Sequence, residues 1–595
     1  MTVAEYIAKF LAAQGVRHVF TLSGGMICPM LDALALRGGL ANDPTGTSPI
    51  IIPMRHEQAV GFAAEGEARM TGIPGVAMAT SGPGATNLLT AIASCYFDST
   101  PAVFITGQVP THEQRRGAER QRGFQETDIV KIAEPVTKWA GQLDKANDPD
   151  GGLSMLHHAF TEAMSGRPGP VLIDIPYDVQ RSEVEEWWPA PMPAWPLRFS
   201  NKIDSAPLLA ALRASKRPLA LVGGGVRASQ AVPPVRRLLS YLWIPTIHSL
   251  MGKDVLGAGH PLDVGMIGTY GNRGANKALA ECDFLLVLGS RLDLRQLGSD
   301  AGAVLHGKRV FWVDVDHAEM EKHAIDSVTR VVVDLHDFCD AIAPEGSPVA
   351  GRTVRYSSIG AKPAWNEQIA AWRVAWPPAS EVTIPEGAIH PLMLLDELGS
   401  RLLDAGVAAV VTDVGSHQMW AAQAMGVSSP IRFLTSGGHG AMGFGLPAAI
   451  GACLAAKGAP VVLVTGDASL LVNVQELATV AELNLPIKIV VLDNGGHGMV
   501  REFQDRYFEG RHTATGQTIR RRHHVRGLTA IADAFGLIAS ILLYDEDANG
   551  YGAVIDAWLN RSSGPALLHV LIDPATPVAP RMVYGEGPGT MSPPR

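Results

Sequence analysis

Gly466-Asp467-Ala468 and Leu492-Asp493-Asn494-Gly495-Gly496 are the two segments around which this chain is organised. Each follows an apolar run, 459–465 and 487–492, that predicts a buried strand of a parallel sheet. Neighbouring strand ends would present the Asp467 carboxylate and the Asn494 amide oxygen together, and the glycines after Asn494 allow a main-chain carbonyl to turn inward. Such oxygen ligands suit Mg²⁺ completed by phosphate groups, although Gly-Asp and Asn-Gly are also ordinary turn pairs.

The composition of the 595-residue chain is that of a well-packed globular enzyme, with 47% hydrophobic and 18% charged residues. The formal net charge of −9 predicts no general attraction to nucleic acid or to an anionic membrane. The five cysteines have no CxxC spacing, so neither a zinc site nor a disulfide framework is indicated. With no basic leader and no uncharged apolar run of membrane-spanning length, we expect a cytoplasmic protein.

Helical patterns alternate with short apolar strands along three stretches of the chain, which predicts βαβ units and parallel sheets. We expect an α/β protein with three doubly wound domains at 1–185, 197–345 and 385–575, followed by a tail at 576–595. The Trp- and Pro-rich segment 187–196 predicts a linker, and the irregular, proline-containing segment 343–383 separates the last two domains.

Two motifs in the first domain could carry chemistry. Glu57 follows a predicted strand at 50–53 and begins an alanine-rich helix, where the helix macrodipole alone would favour a carboxylate. Residues 81–87, Ser-Gly-Pro-Gly-Ala-Thr-Asn, follow another predicted strand and form either a simple tight turn or a close approach to a cofactor. The residues alone leave both interpretations open for each motif.

Taken together, the motifs resemble the thiamine diphosphate (ThDP) enzymes, in particular the acetohydroxyacid (acetolactate) synthase-like branch of large-subunit type. The matching segments are RHEQAVGFAAEGEARMTG (55–72), TSGPGATN (80–87), TGQVP (106–110), FQET (124–127), GSHQMWAAQ (415–423), SGGHGAMGFGLPAAIGA (436–452) and GDASLLVNVQELATV (466–480). They occur in the order expected for the family. The resemblance implies a pyrimidine-binding first domain, a central FAD-binding-like domain and a third domain that binds the diphosphate.

The resemblance also implies roles for individual residues. Glu57 would hydrogen-bond the pyrimidine ring of ThDP, Gln125 would assist it, and Met442 would wedge between the two cofactor rings. The Mg²⁺ ligands would be Asp467, Asn494 and the carbonyl of Gly496. Further ThDP contacts would be Gly24, Gly25, Pro83, Asn87, Gly415, Ser416, His417, Gln418, Gly440, Gly466, Ala468, Ser469, His497, Gly498 and Met499. FAD without a redox role would contact Gly223, Gly224, Gly225, Leu250, Met251, Gly271, Arg291, Arg295, Asp314 and Asp334.

The implied activity is that of a carboligase, which decarboxylates pyruvate and transfers the resulting hydroxyethyl unit to a second carbonyl compound. A flavin-using oxidase of the pyruvate-oxidase type, a ThDP-dependent lyase or hydrolase acting on another ketone, and a cofactor-free binding protein stay open as alternatives. Family members build each active site from the first domain of one chain and the third domain of another. The resemblance therefore implies a homodimer or homotetramer with active sites at the dimer interface.

Three positions depart from the usual residues of the family and affect the choice of acceptor. Phe503 replaces a substrate-selecting Trp, Leu294 replaces an Asp, and His439 replaces a Leu. His439 is either an added acid, base or hydrogen-bond donor in the active site or a helix-start histidine with a local hydrogen bond. The basic run at 520–526 predicts a solvated face, with an anionic acceptor as the alternative.

Overall fold

The computed structural model describes residues 1–39, 48–115, 117–145, 152–184, 203–321, 328–346, 359–516, 524–543, 550–561 and 563–595. Within them lie three six-stranded sheets whose strands all pair in parallel, one sheet in each domain. The expected α/β class with three doubly wound domains is confirmed. The predicted linker 187–196 and residues 520–523 of the basic run lie outside the described residues.

The sheet of the first domain changes winding direction between its first and third strands. Its strands β1 (His18–Leu22), β2 (Ile50–Pro53), β3 (Gly75–Ala79), β4 (Ala102–Gln108), β5 (Trp139–Gln142) and β6 (Pro170–Pro176) have the order β2-β1-β3-β4-β6-β5. Its helices are α1 (Val3–Ala13), α2 (Cys28–Leu34), α3 (Glu57–Thr71), α4 (Pro83–Asn87), α5 (Leu89–Asp98), α6 (Ile129–Ala133), α7 (Ser154–Met164) and α8 (Tyr177–Arg181). The reversal leaves a crevice at the carboxyl ends of β1 and β3, the usual ligand position in such sheets.

The central sheet reverses between β7 and β10. Its strands β7 (Pro218–Val222), β8 (Thr246–His248), β9 (Asp263–Met266), β10 (Phe284–Leu288), β11 (Arg309–Asp314) and β12 (Val328–Val332) have the order β12-β11-β10-β7-β8-β9. The helices are α9 (Ala206–Ala214), α10 (Gly225–Ala228), α11 (Val232–Leu242), α12 (Arg273–Glu281), α13 (Leu294–Leu297), α14 (Ala301–Leu305), α15 (His317–Glu321) and α16 (Leu335–Ile342), followed by α17 (Pro363–Ala375). The strands β7 and β10 are apolar and fully buried, which explains why they read as unbroken hydrophobic runs.

The third sheet repeats the arrangement, with its reversal between β13 and β15. Its strands β13 (Ala409–Thr412), β14 (Arg432–Thr435), β15 (Val461–Gly466), β16 (Ile487–Asp493), β17 (Ile538–Leu542) and β18 (Ala566–Leu571) have the order β14-β13-β15-β16-β18-β17. The helices are α18 (Pro391–Arg401), α19 (Ser416–Ala424), α20 (Gly445–Ala455), α21 (Asp467–Val472), α22 (Glu476–Glu482), α23 (Gly498–Tyr507), α24 (His524–Ala534) and α25 (Gly552–Asn560). The segments 466–468 and 492–496 therefore lie at the carboxyl ends of the adjacent strands β15 and β16.

Helices α3 and α20 join the first and third domains within one chain. A Cβ at Gly66 would lie 2.2 Å from the carbonyl oxygen of Ala448, and a Cβ at Gly451 would lie 1.9 Å from that of Ala63. Only glycine permits two backbones to approach this closely. Since α3 begins at Glu57 and α20 follows the Met442 loop, this contact links two parts of the candidate site.

The tail packs on the central domain as a short arm. Its two strands, β19 (Arg581–Met582) and β20 (Met591–Ser592), pair antiparallel. The Met582 amide donates to the Thr269 carbonyl at 2.8 Å, and Arg273 Nη2 donates to the Pro593 carbonyl at 2.6 Å. These bonds hold the arm beside the loop that follows β9.

Candidate active site

The first part of the site lies around Glu57 in the first domain. Glu57 is the first residue of α3 and only 8% exposed. Its Oε2 accepts a hydrogen bond from Asn87 Nδ2 at 2.9 Å, so a second predicted site residue fixes the direction of the carboxylate. The helix begins here because His56 Nδ1 accepts a hydrogen bond from the Gln58 amide at 3.1 Å.

The loop after β3 lies between Glu57 and Gln125. A Cβ at Gly84 would be 3.4 Å from Glu57 Oε1, and a Cβ at Gly82 would be 2.8 Å from Gln125 Cβ. Pro83 begins α4 between these two glycines. Gln125 has a φ of 64°, which is rare for a residue other than glycine and concentrates at functional sites.

The loop after β1 completes this group. A Cβ at Gly24 would lie 2.5 Å from Thr80 Cβ, and the Met26 amide donates to Thr80 Oγ1 at 3.2 Å. Gly25 follows in the same loop. The predicted residues Gly24, Gly25, Glu57, Pro83, Asn87 and Gln125 thus all follow strands of the first sheet at one edge.

The second part of the site is a cavity of about 230 Å³ at the carboxyl ends of β13, β15 and β16. The predicted residues that line it are Gly415, Ser416, His417, Gly440, Met442, Gly466, Asp467, Ala468, Ser469, Asn494, Gly496, His497, Gly498 and Met499. The residues predicted around Glu57 do not line it. Within one chain, the structure therefore forms two separate groups of predicted site residues.

Two buried polar atoms in the lining of this cavity lack a partner. Ser416 Oγ and His417 Nε2 have no hydrogen-bond partner among the described residues. Burial lowers the pKa of His417 to about 3, so the imidazole is neutral. Buried polar groups are normally hydrogen-bonded, so the cavity fits a polar ligand that pairs with these two atoms.

The predicted metal ligands lie together at the ends of β15 and β16. Asp467 and Asn494 are both buried, and burial together with the nearby Asp493 carboxylate raises the pKa of Asp467. A cation would favour the charged carboxylate. Gly496 has a φ of 129°, and a Cβ there would lie 2.1 Å from the Thr515 carbonyl oxygen. The donor set of carboxylate, amide and carbonyl oxygens suits a hard cation such as Mg²⁺.

The described part of the chain contains no metal site built from His, Cys, Asp or Glu side chains alone. No group of three His, Cys, Asp or Glu side chains there could hold a metal ion. The Asp467 and Asn494 pair is a different kind of site, because it would need oxygen ligands from a phosphate to be completed.

Asp413 positions the loop that carries Met442, and it is not among the site residues predicted from the sequence. One carboxylate oxygen accepts from the Gly443 amide at 3.0 Å and the other from the Gly445 amide at 2.9 Å. Burial raises the pKa of Asp413 to about 6. The only local signal in the sequence is an acidic residue two positions before Gly415, which is too common a feature to predict the contact.

A larger cavity of about 530 Å³ adjoins the first, since Val414 and Gly440 line both. Its lining includes the predicted FAD contacts Gly224, Gly225, Leu250, Met251, Arg291 and Arg295. Gln418, predicted to contact ThDP, lines this cavity and not the smaller one. Its amide donates to Thr435 Oγ1 at 2.6 Å and to the Ser436 carbonyl at 3.0 Å, so it also holds the chain before His439.

A third cavity of about 280 Å³ extends the second, with Gly225 and Arg291 in the lining of both. Asp314 and Asp334 lie here, and burial raises the pKa of Asp314 to about 6. The two cavities form an elongated space along the carboxyl ends of β7, β10 and β11, which fits an extended ligand with hydroxyl groups.

Gly223 and Gly271 line neither of these cavities. A Cβ at Gly223 would lie 2.1 Å from the Gly289 carbonyl oxygen, and one at Gly271 would lie 2.6 Å from the Ile267 carbonyl carbon. Close backbone packing therefore accounts for both glycines.

His439 lines the larger cavity and stacks on a residue of the first domain. Its ring is 5.5 Å from that of Phe97, with an angle of 10° between the planes. The neighbouring Asp98 carboxylate accepts from the amides of Gly437 at 3.0 Å and Gly438 at 2.6 Å. The end of α5 thus holds the loop of the third domain on which His439 lies.

Comparison with known proteins identifies the family of the chain. The N-terminal TPP binding domain of thiamine pyrophosphate enzymes matches residues 1–132, the central domain matches 206–342, and the C-terminal TPP binding domain matches 413–570. The acetolactate synthase isozyme 2 large subunit of Escherichia coli (strain K12) is 36% identical over 589 residues, covering 98% of both chains. The chain belongs to the acetolactate synthase family of thiamine pyrophosphate enzymes.

Two further members of this family show how widely the similarity extends. The isozyme 1 large subunit of Escherichia coli (strain K12) is 38% identical over 595 residues, with 98% of this chain and 96% of the relative covered. The chloroplastic acetolactate synthase 2 of Nicotiana tabacum is 35% identical over 593 residues, with 98% and 84% covered. The resemblance inferred from the motifs is confirmed, including the thiamine pyrophosphate binding domains.

Two other observations on this acetolactate synthase family member concern membrane-spanning helices and the position of Phe503. No helix in the described ranges is long and apolar enough to cross a membrane. Phe503, the residue that replaces the usual Trp, lies exposed on α23 and contacts Tyr507, with 4.7 Å between ring centroids.

Proposed function

We propose that the chain is a ThDP- and Mg²⁺-dependent carboligase that decarboxylates pyruvate and joins the resulting two-carbon unit to a second carbonyl compound. If the acceptor is another pyruvate, the product is acetolactate. The observation that carries the proposal is the pair of unpartnered buried atoms, Ser416 Oγ and His417 Nε2, beside the oxygen ligands Asp467 and Asn494. A diphosphate bridged by a divalent cation fits that combination.

The third domain would hold the diphosphate end of the cofactor. Asp467, Asn494 and the Gly496 carbonyl would bind Mg²⁺, which binds the diphosphate in turn. Ser416 Oγ would donate a hydrogen bond to a phosphate oxygen. The neutral His417 can donate from one ring nitrogen, because a neutral imidazole carries one N–H.

The first domain would supply the proton chemistry. When bound, ThDP supplies a nucleophilic carbon and an electron sink for decarboxylation of a 2-keto acid. Glu57 holds a proton at the pyrimidine ring of the cofactor, and the Asn87 amide keeps the carboxyl group in place. Met442 supports the cofactor from the opposite domain, on the loop that Asp413 fixes.

FAD would occupy the two larger cavities without a redox role. Gly224, Gly225 and Arg291 lie along this space, with Asp314 towards its far end. Arg295 also lines the larger cavity, and a guanidinium group can bind the carboxylate of an acceptor through two hydrogen bonds.

The active site would be completed by a second copy of the chain. Within one chain, Glu57 does not line the cavity that contains Met442 and Asp467. Both must reach the same cofactor, so the Glu57 group of one protomer would face the cavity of its partner in a homodimer or homotetramer. An active, monodisperse monomer in light scattering would overturn this arrangement.

The five free cysteines favour a cytoplasmic location.

The function is tested by incubating the purified protein with ThDP, Mg²⁺, FAD, pyruvate and a panel of ketones and aldehydes. We expect CO₂ release and a condensed product in mass spectrometry, with the flavin oxidised throughout. Oxygen consumption with flavin bleaching would indicate an oxidase instead, and unchanged pyruvate would refute the proposal.

Cofactor binding can be followed separately from turnover. Trp420 is buried and lines the ThDP cavity, so ThDP with Mg²⁺ should change its fluorescence. Trp420→Phe removes the signal and serves as the control. Ser416→Ala should weaken binding about tenfold, the usual effect of removing one hydrogen bond to a charged group.

A further inference from the structure

The loop after β16 carries two of the predicted metal ligands, Asn494 and the Gly496 carbonyl, and a buried arginine lies against it. Arg501 is only 2% exposed and lies in the first turn of α23. Its Nη2 donates to the Asn494 carbonyl at 2.8 Å, and its Nη1 donates to the Gly495 carbonyl at 3.3 Å. One guanidinium group therefore binds the main chain of a predicted ligand residue and of the residue that follows it.

The same guanidinium group joins this loop to the end of a neighbouring strand. Arg501 Nη2 also donates to the Pro574 carbonyl at 3.3 Å. Pro574 follows β18, which pairs in parallel with β16. Because a guanidinium group is planar and rigid, its hydrogen bonds fix the relative positions of three carbonyl groups at once.

Two further hydrogen bonds restrict the loop. The Gly495 amide donates to Asp493 Oδ1 at 2.8 Å, and the Gly498 amide donates to the Gly496 carbonyl at 3.0 Å. A carbonyl oxygen has two lone pairs, so the second bond directs the Gly496 carbonyl and leaves one lone pair for a cation. Arg501 thus acts on a loop whose amides are already held, and it holds the carbonyl groups.

The charge of Arg501 opposes a metal ion at this loop, whereas its geometry supports one. An arginine side chain is always charged in proteins, and two positive charges repel each other. If Arg501 acted through its charge alone, removing it would strengthen Mg²⁺ binding. Its bonds to the Asn494 and Gly495 carbonyls act in the opposite direction, because they prevent the loop from turning the ligands away. Partners that orient ligands in this way are typically worth about 10- to 100-fold in metal affinity, so the geometric effect should be the larger.

We propose that Arg501 is a positioning residue that holds the loop after β16 in the conformation that binds Mg²⁺. A rigid loop also favours Mg²⁺ over Ca²⁺, because Mg²⁺ demands near-octahedral geometry and Ca²⁺ accepts irregular geometry. Arg501 does not line the ThDP cavity, so it acts through Asn494 and Gly495. The inference rests on the proposed function for the position of the metal site.

A metal titration of the purified full-length protein tests this role. The protein is freed of metal with a chelator, and Mg²⁺ or Ca²⁺ is added at a saturating ThDP concentration while Trp420 fluorescence is recorded. We expect Arg501→Met to raise the half-saturating Mg²⁺ concentration about 10- to 100-fold. Arg501→Lys keeps the charge but not the planar set of donors, so it should give a smaller rise. In both variants the half-saturating Ca²⁺ concentration should rise less than that of Mg²⁺.

Lys308→Met is the matched control. Lys308 is also a buried cation that binds the main chain, since its Nζ donates to the Ala280 carbonyl at 2.7 Å and to the Cys282 carbonyl at 3.0 Å. The control loses the same kind of hydrogen bond in the central domain, so its half-saturating Mg²⁺ concentration should not change. An unchanged or lower value in Arg501→Met, or an equal rise in Lys308→Met, would overturn the proposal. If Arg501→Met does not fold, an unchanged value in Arg501→Lys overturns it.

Failure of the proposed function would give a different result. If the unchanged protein shows a Mg²⁺-dependent fluorescence change but consumes no pyruvate, the carboligase function is refuted, and the half-saturating concentrations still decide the role of Arg501. If the unchanged protein shows no Mg²⁺-dependent change, the metal site is wrong, and the role of Arg501 is refuted with it.

Discussion

Replacing Gly451 by alanine should weaken the contact that joins the first and third domains. The new Cβ would lie 1.9 Å from the Ala63 carbonyl oxygen, whereas real Cβ atoms essentially never come under 3.0 Å. Helices α3 and α20 must therefore separate by about 1 Å, and neither partner is a flexible side chain. Such overpacking costs about 3 kcal/mol, against a gain of about 1 kcal/mol from the better helix propensity of alanine.

The net loss of about 2 kcal/mol should lower the melting temperature by several degrees. The first thermal transition, measured at fixed protein concentration, is the appropriate readout because a chain of several domains does not unfold in two states. Pyruvate turnover should also fall, since α3 begins at Glu57 and α20 follows the Met442 loop.

Gly527→Ala is the matched control. Gly527 also lies inside a helix, α24, and a Cβ there would meet no atom within 4 Å. This variant should melt at or above the temperature of the unchanged protein. A Gly451→Ala variant that does the same would refute the close helix contact.

Three further predictions follow from the site and the core. Glu57→Gln should reduce turnover at least 100-fold, because the variant loses a general acid or base. Trp420 fluorescence should show that this variant still binds ThDP. Near-normal turnover would contradict the role given to Glu57. A chelator that removes Mg²⁺ should release ThDP, and added Mg²⁺ should restore ThDP binding, as measured by Trp420 fluorescence. The Asp467→Asn variant should require a higher Mg²⁺ concentration for the same change in fluorescence. Burial raises the pKa of Asp174 to about 7, so its contribution to stability is full at low pH and is lost as the pH rises through about 7. Asp174→Asn should therefore show a smaller fall in melting temperature between pH 5 and pH 8 than the unchanged protein, and an equal fall would contradict this assignment.

The buried strands could be predicted from the sequence, because both faces of each sheet are covered. The predicted runs 459–465 and 487–492 coincide within two residues with the fully buried strands β15 and β16. The edge strands β5 and β17 are only partly buried, so they lack an unbroken apolar run and show no comparable signal.

The contacts that position the loops could not be predicted. Asp98 holds the Gly438 amide across 340 residues of sequence, and Asp413 holds Gly443 across 30. Neither pair has a local pattern, since each depends on how two domains or two strand ends meet.

The three sheets use one topological feature for three purposes. Each reverses its winding beside its first strand, and the loops at that reversal carry predicted contacts for the pyrimidine ring, the flavin and the diphosphate respectively. Phe503, which replaces the Trp that the resemblance associates with substrate selection, lies instead further along α23 and is exposed. A substitution at Phe503 can therefore change which acceptor is bound without disturbing the strand ends that are predicted to hold the cofactors.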